Sequence, residues 1–563
     1  MSPRYEDESS RPRGVSGSRL GAVNPAIPFR LRIGVTGHRV LPDSPGLADQ
    51  IARTVERIRS LVPAGGVTPI QLAVLSPLAE GADRLVADVV LAQPDAVLEA
   101  VLPLAQQDYQ NDFTAPGSLQ QFSELLDRAV RIVELPATET REEAYEQAGQ
   151  FVVEQSDVLI AVWDGHAAQG QGGTAEVVVW ARDRGTPVFW IHPMPPFTLT
   201  EWLGTGMDLT AFQHIDRFNR AELGEVRLAA ALDVTRADID AHARAADIDP
   251  AVLEPIEAWL LPTSVRADLL ASQAQRQFFR FSDATFVIAV LAVLASASPQ
   301  LLGNGFPPAP FRFHAAVRFA PLIECVLMFV VLMVIYVGHR NQLHQRWIAY
   351  RFLAERLRSA FFMALIDAIR VGADRAPEFV TLHQPSDAWI QTAFDVVWQR
   401  RPAGDPSIPL EHLRRFLARA WIGDQRAYQD RKSQRHARAN HLLGRMSIAV
   451  FTVTLCISAL DSFDGWRQGF LGGVGPTIAL YLSIVFPALA GALGGIGALR
   501  DHPRNARRST TMARQLARLE RHVERAPDLP TLRSFAHQAE ALMLEESGDW
   551  YVSMQFRDVS LHT

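Results

Sequence analysis

Three short segments of this chain combine glycine with polar or charged side chains, and each one accompanies an apolar run of strand length. The first of them contains Gly34, Thr36, Gly37, His38 and Arg39. Glycine lets backbone N–H groups approach an anion closely, and the hydroxyl, imidazole and guanidinium groups add polar contacts. This combination predicts a site for phosphate or another small anion.

The other two segments have the same character. The second contains Glu80, Gly81, Asp83 and Arg84 and opens a predicted helix, whose N-terminus is a favourable position for phosphate. The third segment contributes seven candidate residues: Trp163, Asp164, Gly165, Gly172, Gly173, Thr174 and Glu176. Ligands of an open parallel sheet bind beyond the carboxyl ends of its strands, so we expect the three segments to form one crevice.

Glu176 is the candidate catalytic residue if the site hydrolyses its ligand, because a carboxylate at a helix start can polarise water. Each candidate also has a structural interpretation. Glycines end strands and cap helices, Glu176 can complement the helix dipole, and Trp163 can be a core aromatic residue. His38 can be a simple turn residue. No Gly-Lys-Ser/Thr sequence follows the glycines, so ATP-driven motor chemistry is not indicated.

These segments are separated by apolar runs that alternate with helical periodicity, which is typical of a parallel sheet covered by helices. The predicted strands are 31–35, 71–75, 96–101, 131–134, 158–162 and 188–191. The predicted fold class is therefore an α/β, Rossmann-like N-terminal domain with a parallel sheet, followed by an all-α membrane region.

The rear half contains four stretches that lack charge, or nearly so, over about the 20 residues that a helix needs to cross hydrocarbon. They lie at about 284–303, 319–338, 442–460 and 477–499, and they predict two hairpins followed by long cytoplasmic helices. Arginine and lysine lie before the first stretch and after the second stretch of each pair. The positive-inside rule therefore places these ends, and both chain termini, in the cytoplasm. The alternative is that the stretches are buried core helices, and it applies best to the third, which contains Arg445.

Glu324 is a candidate pore residue, because a carboxylate inside a membrane span is costly unless it is neutral, paired or facing water. It predicts a cation-attracting ring in an oligomeric pore, or a side chain that reaches the membrane interface. The fourth stretch holds Pro487 and several glycines, which allow either close helix packing or a broken helix. A broken helix would fit a secondary transporter with two related halves.

Composition argues against several other classes of protein. A net charge of −6 and a pI near 6.3 argue against nucleic acid as the main partner. The two cysteines, Cys325 and Cys456, lie in apolar runs without ligand spacing, so neither a disulfide framework nor a metal site is predicted. No cofactor is predicted either. Residues 1–27 lack the apolar core of a signal peptide and predict a disordered tail.

Five motifs resemble, in their order along the chain, a domain of the SLOG superfamily: GVTGHR, LAEGADRLVAD, DYQNDF, YEQAGQFVVEQSDVLIAVWDG and GQGGTAEVV. The resemblance covers about residues 29–193. It implies a fold related to the LOG enzymes and to DprA, and the binding or hydrolysis of nucleotides and nucleotide-derived ligands. Gly172, Gly173, Thr174 and Glu176 are similar to the glycine-rich loop of the LOG enzymes.

The first pair of apolar stretches and the helix after it are similar to the SLATT family of two-helix membrane domains. The residues that carry this similarity are Trp347, Arg351, Ala354, Glu355 and Arg358. A second, more diverged copy begins before the third stretch. The resemblance implies a pore-forming effector in bacterial antiphage or conflict defence, gated by a nucleotide signal and located in the inner membrane.

Together these observations predict five regions. They are a tail at 1–27, a SLOG-like nucleotide-binding domain at 28–195, a helical connector at 196–270, and two SLATT-like membrane domains at 271–385 and 386–563. The predicted function is a sensor of a nucleotide-derived ligand coupled to an oligomeric, ion-channel-like membrane effector. Its predicted partners are that ligand, the lipid bilayer and further copies of the chain. The alternative is a membrane-anchored nucleotide or N-glycoside hydrolase.

Overall fold

The computed structural model describes residues 26–42, 45–63, 66–166, 172–304, 311–366, 388–402, 404–405, 407–461 and 475–555. The predicted tail at 1–27 lies almost entirely outside these residues. The described residues form two compact units. One contains a sheet with its covering helices, and the other contains helices.

The first unit is built on a seven-stranded sheet in the order β4-β3-β2-β1-β5-β6-β7. The strands are β1 (Phe29–Gly37), β2 (Ile70–Ser76), β3 (Val97–Leu102), β4 (Ala129–Glu134), β5 (Val158–Val162), β6 (Val188–Ile191) and β7 (Leu199–Trp202). The first six strands are parallel, as predicted, and β7 is antiparallel to β6. The apolar pattern does not predict β7, which lies in the segment expected to be a helical connector.

Helices cover both faces of this sheet. They are α1 (Pro45–Arg59), α2 (Ala82–Leu91), α3 (Gln106–Tyr109), α4 (Ser118–Arg128), α5 (Arg141–Gln155), α6 (Thr174–Arg184) and α7 (Thr210–Arg220). Side chains of the central strands, such as Leu31, Ile33 and Ile160, are completely buried. The core of this unit is therefore the sheet itself, and the loops at its carboxyl edge rest on a rigid base.

The starts of two helices show how the sequence sets the loops at this edge. At α5, the hydroxyl of Thr140 accepts a hydrogen bond from the N–H of Glu143 at 3.2 Å, and the Glu143 carboxylate accepts one from the N–H of Thr140 at 3.3 Å. This capping box satisfies N–H groups that the first turn leaves without partners. α2 begins after Gly81, whose φ of 82° lies in the region that favours glycine. Both caps lie at the carboxyl edge of the sheet.

The second unit contains nine described α-helices and a π-helix, Leu417–Gly423. The α-helices are α8 (Glu225–Ala245), α9 (Glu254–Asn304), α10 (Phe311–Arg340), α11 (Leu343–Ile366), α13 (Leu410–Phe416), α14 (Asp424–Asp461), α15 (Gly475–Arg500), α16 (His502–Glu524) and α17 (Leu529–Gln555). The remaining helix, α12 (Ala388–Gln399), lies between α11 and α13 in the chain but belongs to the first unit. α9 packs along α10, α11 and α15, and α14 packs along α15 and α16.

Four helical stretches of this unit are long and apolar enough to cross a membrane, and they overlap the four stretches predicted from the sequence. At most 17 % of the residues in the most apolar part of each stretch are buried. Large apolar side chains therefore face outward. Examples are Phe329, Ile448 and Leu455, which are 66 %, 68 % and 70 % exposed.

Pro487 lies inside α15, which is continuous from Gly475 to Arg500. The helix is not broken at this proline, so the feature that favoured a secondary transporter is missing from this part of the described chain. Glu324 lies on α10, where it is half-buried beside the exposed Ile323. Its role as a pore residue stays a prediction.

Candidate functional site

The carboxyl ends of β1 and β5 lie side by side at the centre of the sheet. Gly37, the last residue of β1, is paired with Val162, the last residue of β5. From β1 the sheet continues through β2, β3 and β4 on one side, and through β5 and β6 on the other. Such a switch point leaves a crevice beyond the strand ends, where ligands of open α/β sheets bind. The three predicted segments meet around this crevice.

Two glycines allow the loops after β1 and β2 to touch. A Cβ atom on Gly37 would lie 2.4 Å from the Cβ of Ala82 and 2.6 Å from the carbonyl oxygen of Val162. A Cβ atom on Gly81 would lie 2.3 Å from the carbonyl oxygen of His38. The N–H of Ala82 donates a hydrogen bond to that same carbonyl at 3.0 Å. Both glycines therefore serve close packing, and this packing joins the first two segments.

The first and third segments meet at His38 and Asp164. The Nε2 atom of His38 lies 3.1 Å from the backbone nitrogen of Asp164 and 3.1 Å from its Oδ1 atom. A neutral imidazole accepts from the N–H, whereas a protonated one donates to the carboxylate. A hydrogen bond from the backbone N–H of His166 lowers the pKa of Asp164 to about 2, and the charge of His38 contributes to the same shift. Asp164 is therefore ionised at neutral pH.

Arg39 is the cation at the mouth of the crevice. Its side chain is exposed, and its guanidinium carbon lies 5.4 Å from the ring centroid of Tyr145, in the first turns of α5. Within the part of the chain that the structure describes, Arg39 forms no ion pair with a carboxylate. The aromatic ring supports the guanidinium group from one side. The charge of Arg39 is therefore available to an anionic ligand.

Arg84 and Asp83 lie beneath the loop after β2. Arg84 is 3 % exposed, and it donates through Nε to the carbonyl of Leu78 and through Nη1 to the carbonyl of Ser118, both at 2.9 Å. These bonds connect the loop to the start of α4. Burial raises the pKa of Asp83 to about 7, although a backbone hydrogen bond and two nearby arginines lower it. Asp83 is thus a carboxyl group that titrates near neutral pH inside the site.

Trp163 and Gly165 are held by a second tryptophan. The indole N–H of Trp163 donates to the carbonyl of His166 at 2.9 Å, and the indole N–H of Trp190 donates to the carbonyl of Trp163 at 2.7 Å. The two ring centroids lie 5.5 Å apart. Gly165 has a φ of 86°, and a Cβ atom there would lie 3.4 Å from Trp190. Trp163 also packs against the core, which agrees with its structural interpretation.

Glu176 fastens the loop that precedes its own helix. Its carboxylate accepts a hydrogen bond from the N–H of Gly172 at 2.7 Å, and Gly173 is the residue directly before α6. A Cβ atom on Gly172 would lie 2.7 Å from the backbone nitrogen of Glu146, so this loop passes close to α5. Residues 167–171, which form the first part of the glycine-rich loop, lie outside the described residues.

The remaining candidates differ in their distance from the crevice. Gly34 lies inside β1, where a Cβ atom would be 2.3 Å from the Oγ of Ser156, so this glycine lets α5 pack on the strand. Thr36 is buried in the same strand. Glu80 accepts a hydrogen bond from the hydroxyl of the serine that starts α4, and Thr174 is the first residue of α6. Glu80 and Thr174 therefore lie at the carboxyl edge, whereas Gly34 lies within the sheet.

The sequence candidates omit several polar groups at this edge. Tyr145 supports Arg39 and donates a hydrogen bond from its hydroxyl to Asp112. Arg141 contacts the same carboxylate and donates two hydrogen bonds to Asp108 at 3.0 and 3.1 Å. Both aspartates belong to the DYQNDF motif after β3. The sequence signal that could have identified these two aspartates is the alternation of acidic and aromatic residues in this motif, directly after a predicted strand.

The edge therefore offers an exposed guanidinium group, an imidazole and the N-termini of α2 and α6, which together can hold a small anion. No group of three or more histidine, cysteine or acidic side chains that could hold a metal ion occurs among the described residues. The chain matches no protein-family model, and no curated protein matches it.

Proposed function

We propose that the sheet domain binds a nucleotide-derived small molecule at the switch-point crevice, and that the helical unit is a membrane effector that responds to it. One observation carries this proposal. Arg39 is an exposed guanidinium group without a carboxylate partner among the described residues, and it lies two residues after the carboxyl end of β1. A guanidinium group beside helix N-termini is well suited to phosphate.

In this proposal a phosphate of the ligand contacts the side chains of Arg39 and His38. The N-termini of α2 and α6 attract the same anion, because the first N–H groups of a helix have no partners within it. The Oδ1 atom of Asp164 lies 3.1 Å from the Nε2 atom of His38, and this contact holds the imidazole ring at the carboxyl edge of the sheet. Glycine at positions 37 and 81 keeps the loops close enough to share one ligand.

The membrane part of the proposal places the four apolar stretches in a bilayer as two hairpins. It is supported by the outward-facing apolar side chains, since soluble proteins rarely expose a continuous apolar surface of this extent. Arg276 and Arg280 precede the first pair, and Arg504 and Arg507 follow the second. The positive-inside rule then places both termini in the cytoplasm. A bacterial inner membrane is suggested by the resemblance to the SLOG and SLATT families.

The effector part of the proposal is an oligomeric pore that conducts ions, with Glu324 as the candidate pore residue. A ligand can open such a pore only if it binds the open arrangement more tightly than the closed one. The resemblance to SLATT domains supports this role and a setting in antiphage or conflict defence.

An ion-flux assay on the full-length protein in liposomes tests the proposal, with AMP, ADP-ribose and a cyclic oligonucleotide as probes. We expect flux to rise with one of these probes. Arg39→Gln should then require roughly 10- to 100-fold more of that probe, because a hydrogen bond to a charged group contributes about 1.5–3 kcal/mol. Arg182→Gln is the matched control, since Arg182 is also exposed and lies 4.6 Å from the ring centroid of Trp202 in a cation–π contact.

The same preparations distinguish the two candidate functions. Flux that ignores every probe would remove the sensing role. Turnover of a probe that is lost in Glu176→Gln would instead favour the membrane-anchored hydrolase. This substitution is suitable because glutamine keeps an oxygen that can accept the hydrogen bond from Gly172, so the loop is preserved while the carboxylate is removed.

A further inference from the structure

Two helices of the second unit, α14 and α16, carry long segments with many arginines and no acidic residue. Residues 431–445 of α14 contain five cationic side chains, and residues 502–519 of α16 contain five more. Neither segment contains an aspartate or a glutamate, although Asp430 and Asp501 directly precede them. Such a concentration of one charge is typical of a surface that meets an anionic partner.

The two segments lie side by side on antiparallel helices. Near the start of α14, the Nε atom of Arg426 donates a hydrogen bond to Glu520 at 2.7 Å. Further along the helix, the Nδ1 atoms of His436 and His502 lie 2.8 Å apart. The residue number therefore rises along α14 while it falls along α16, and the two positively charged segments are neighbours.

Four of these arginines lie close to the apolar stretches. α14 is continuous and leads directly into the third stretch, which begins at about residue 442. At a rise of about 1.5 Å per residue, Arg438 and Arg435 lie roughly 6 and 10 Å before that point. By the same measure, Arg504 and Arg507 lie roughly 8 and 12 Å beyond the end of the fourth stretch, at about residue 499. We call these four residues the arginine belt.

The side chains of the arginine belt are exposed, and they form no ion pair with any residue that the structure describes. Two arginines next to the belt are paired instead: Arg426 lies 2.7 Å from Glu520, and Arg500 lies 2.6 Å from Asp283. The carboxylates described in this unit are therefore engaged elsewhere or lie apart from the belt. Its positive charge is available to an anion from outside the chain.

We propose that the arginine belt binds the headgroups of anionic phospholipids in the adjoining leaflet of the bilayer. The headgroup region adds roughly 5–8 Å to each side of the hydrocarbon. The belt then lies within about a Debye length, roughly 8 Å, of the headgroup phosphates. Position favours lipid over nucleic acid, because the charges adjoin apolar side chains such as Leu442, which is 60 % exposed. The inference rests on the membrane part of the proposed function and adds the class of lipid that this part recognises.

A matched pair of double variants on α16 tests the arginine belt. Arg504→Gln with Arg507→Gln removes two charges of the belt. Arg514→Gln with Arg518→Gln is the control, because it removes two exposed charges that lie roughly 22 and 28 Å beyond the apolar stretch. The full-length protein in a neutral detergent is titrated by calorimetry with dihexanoyl phosphatidylglycerol, which is anionic, and with dihexanoyl phosphatidylcholine, which has no net charge.

We expect the wild type to prefer phosphatidylglycerol and to lose this preference as salt is added. The belt variant should bind phosphatidylglycerol at least about fivefold more weakly, because one cation near a membrane surface changes the affinity by roughly that factor. The control variant should bind it as the wild type does.

Equal affinity of the wild type for the two lipids would overturn the inference, and so would equal losses in the two double variants. Inorganic phosphate that binds as tightly as phosphatidylglycerol would also overturn it, since the surface would then be a phosphate site. A single-stranded RNA oligonucleotide that binds more tightly than the lipid, with a loss in the belt variant, would replace the lipid by nucleic acid.

Flotation of the wild type with phosphatidylcholine vesicles separates this inference from the proposed function. Protein that does not float would remove the membrane part of the proposed function and the inference with it. Protein that floats and shows no preference for phosphatidylglycerol would remove the inference alone.

Discussion

Gly37→Ala perturbs the seam where β1, α2 and β5 meet. A Cβ atom at this position would lie 2.4 Å from the Cβ of Ala82 and 2.6 Å from the carbonyl oxygen of Val162. Carbon atoms in contact normally lie about 3.5–4.0 Å apart, so the elements must separate by roughly 1 Å to admit the methyl group. The carbonyl oxygen belongs to the backbone of β5 and cannot rotate away as a side chain would.

Two backbone hydrogen bonds cross this seam and are strained by the movement. The N–H of His38 donates to the carbonyl of Val162 at 3.1 Å, and the N–H of Ala82 donates to the carbonyl of His38 at 3.0 Å. Overpacking costs roughly 1–3 kcal/mol, and one lost hydrogen bond adds about 1 kcal/mol. The expected loss of local stability is about 2–4 kcal/mol, which corresponds to roughly 30- to 900-fold faster amide exchange.

Hydrogen exchange of the full-length protein in detergent measures this loss. Peptides that cover the end of β1 and the start of α2 should lose protection, and peptides of α16 should not. Gly224→Ala is the control, because a Cβ atom there meets nothing within 4 Å. Equal protection of β1 and α2 in the wild type and in Gly37→Ala would refute the close approach. It would also remove the reason to treat the first two segments as one site.

Two further predictions concern Asp83 and Phe451. The raised pKa of Asp83 means that the folded state keeps this proton to higher pH than the unfolded state. The resulting stability is complete below about pH 4 and is lost as the pH rises through about 7, by at most about 4 kcal/mol. Amide hydrogen exchange in α2, corrected for the intrinsic effect of pH, should show this loss in the wild type and not in Asp83→Asn. Phe451 lies on α14. Phe451→Lys should lower the fraction of the protein that stays with membranes after alkaline extraction, because placing a lysine in the middle of a membrane span costs about 3 kcal/mol. Phe451 is 58 % exposed, and Val226→Lys on α8, at a position 85 % exposed, should have no such effect.

The six parallel strands are predictable because burial on both faces makes each of them an apolar run. β7 lacks this pattern, since its four residues, Leu199–Trp202, are only half-buried and lie at the edge of the sheet. The apolar stretches are predictable from their length and lack of charge. The position of α12 is not predictable, because this helix packs against β1, which is distant in the sequence, and no local pattern indicates such packing.

The candidate site shows which properties a sequence conceals. The ends of the strands determine where the loops lie, so the three segments are found at the carboxyl edge. The direction of a side chain is not encoded in the same way. Arg84 has the residue type of a phosphate ligand, yet its guanidinium group bonds the carbonyls of Leu78 and Ser118 beneath the loop. Tyr145 accompanies no glycine turn, and only its contact with Arg39 identifies it.

The neighbouring carboxylates at this edge have partners of their own, so they do not compete with an anionic ligand for Arg39. Glu80 accepts a hydrogen bond from a serine hydroxyl, Asp112 from a tyrosine hydroxyl, and Glu176 from a backbone N–H of the glycine-rich loop. Asp83 is buried and is about half protonated near pH 7. Arg39 and the helix N-termini then supply the local attraction for an anion at this edge. A net charge of −6 is therefore compatible with phosphate binding at this edge.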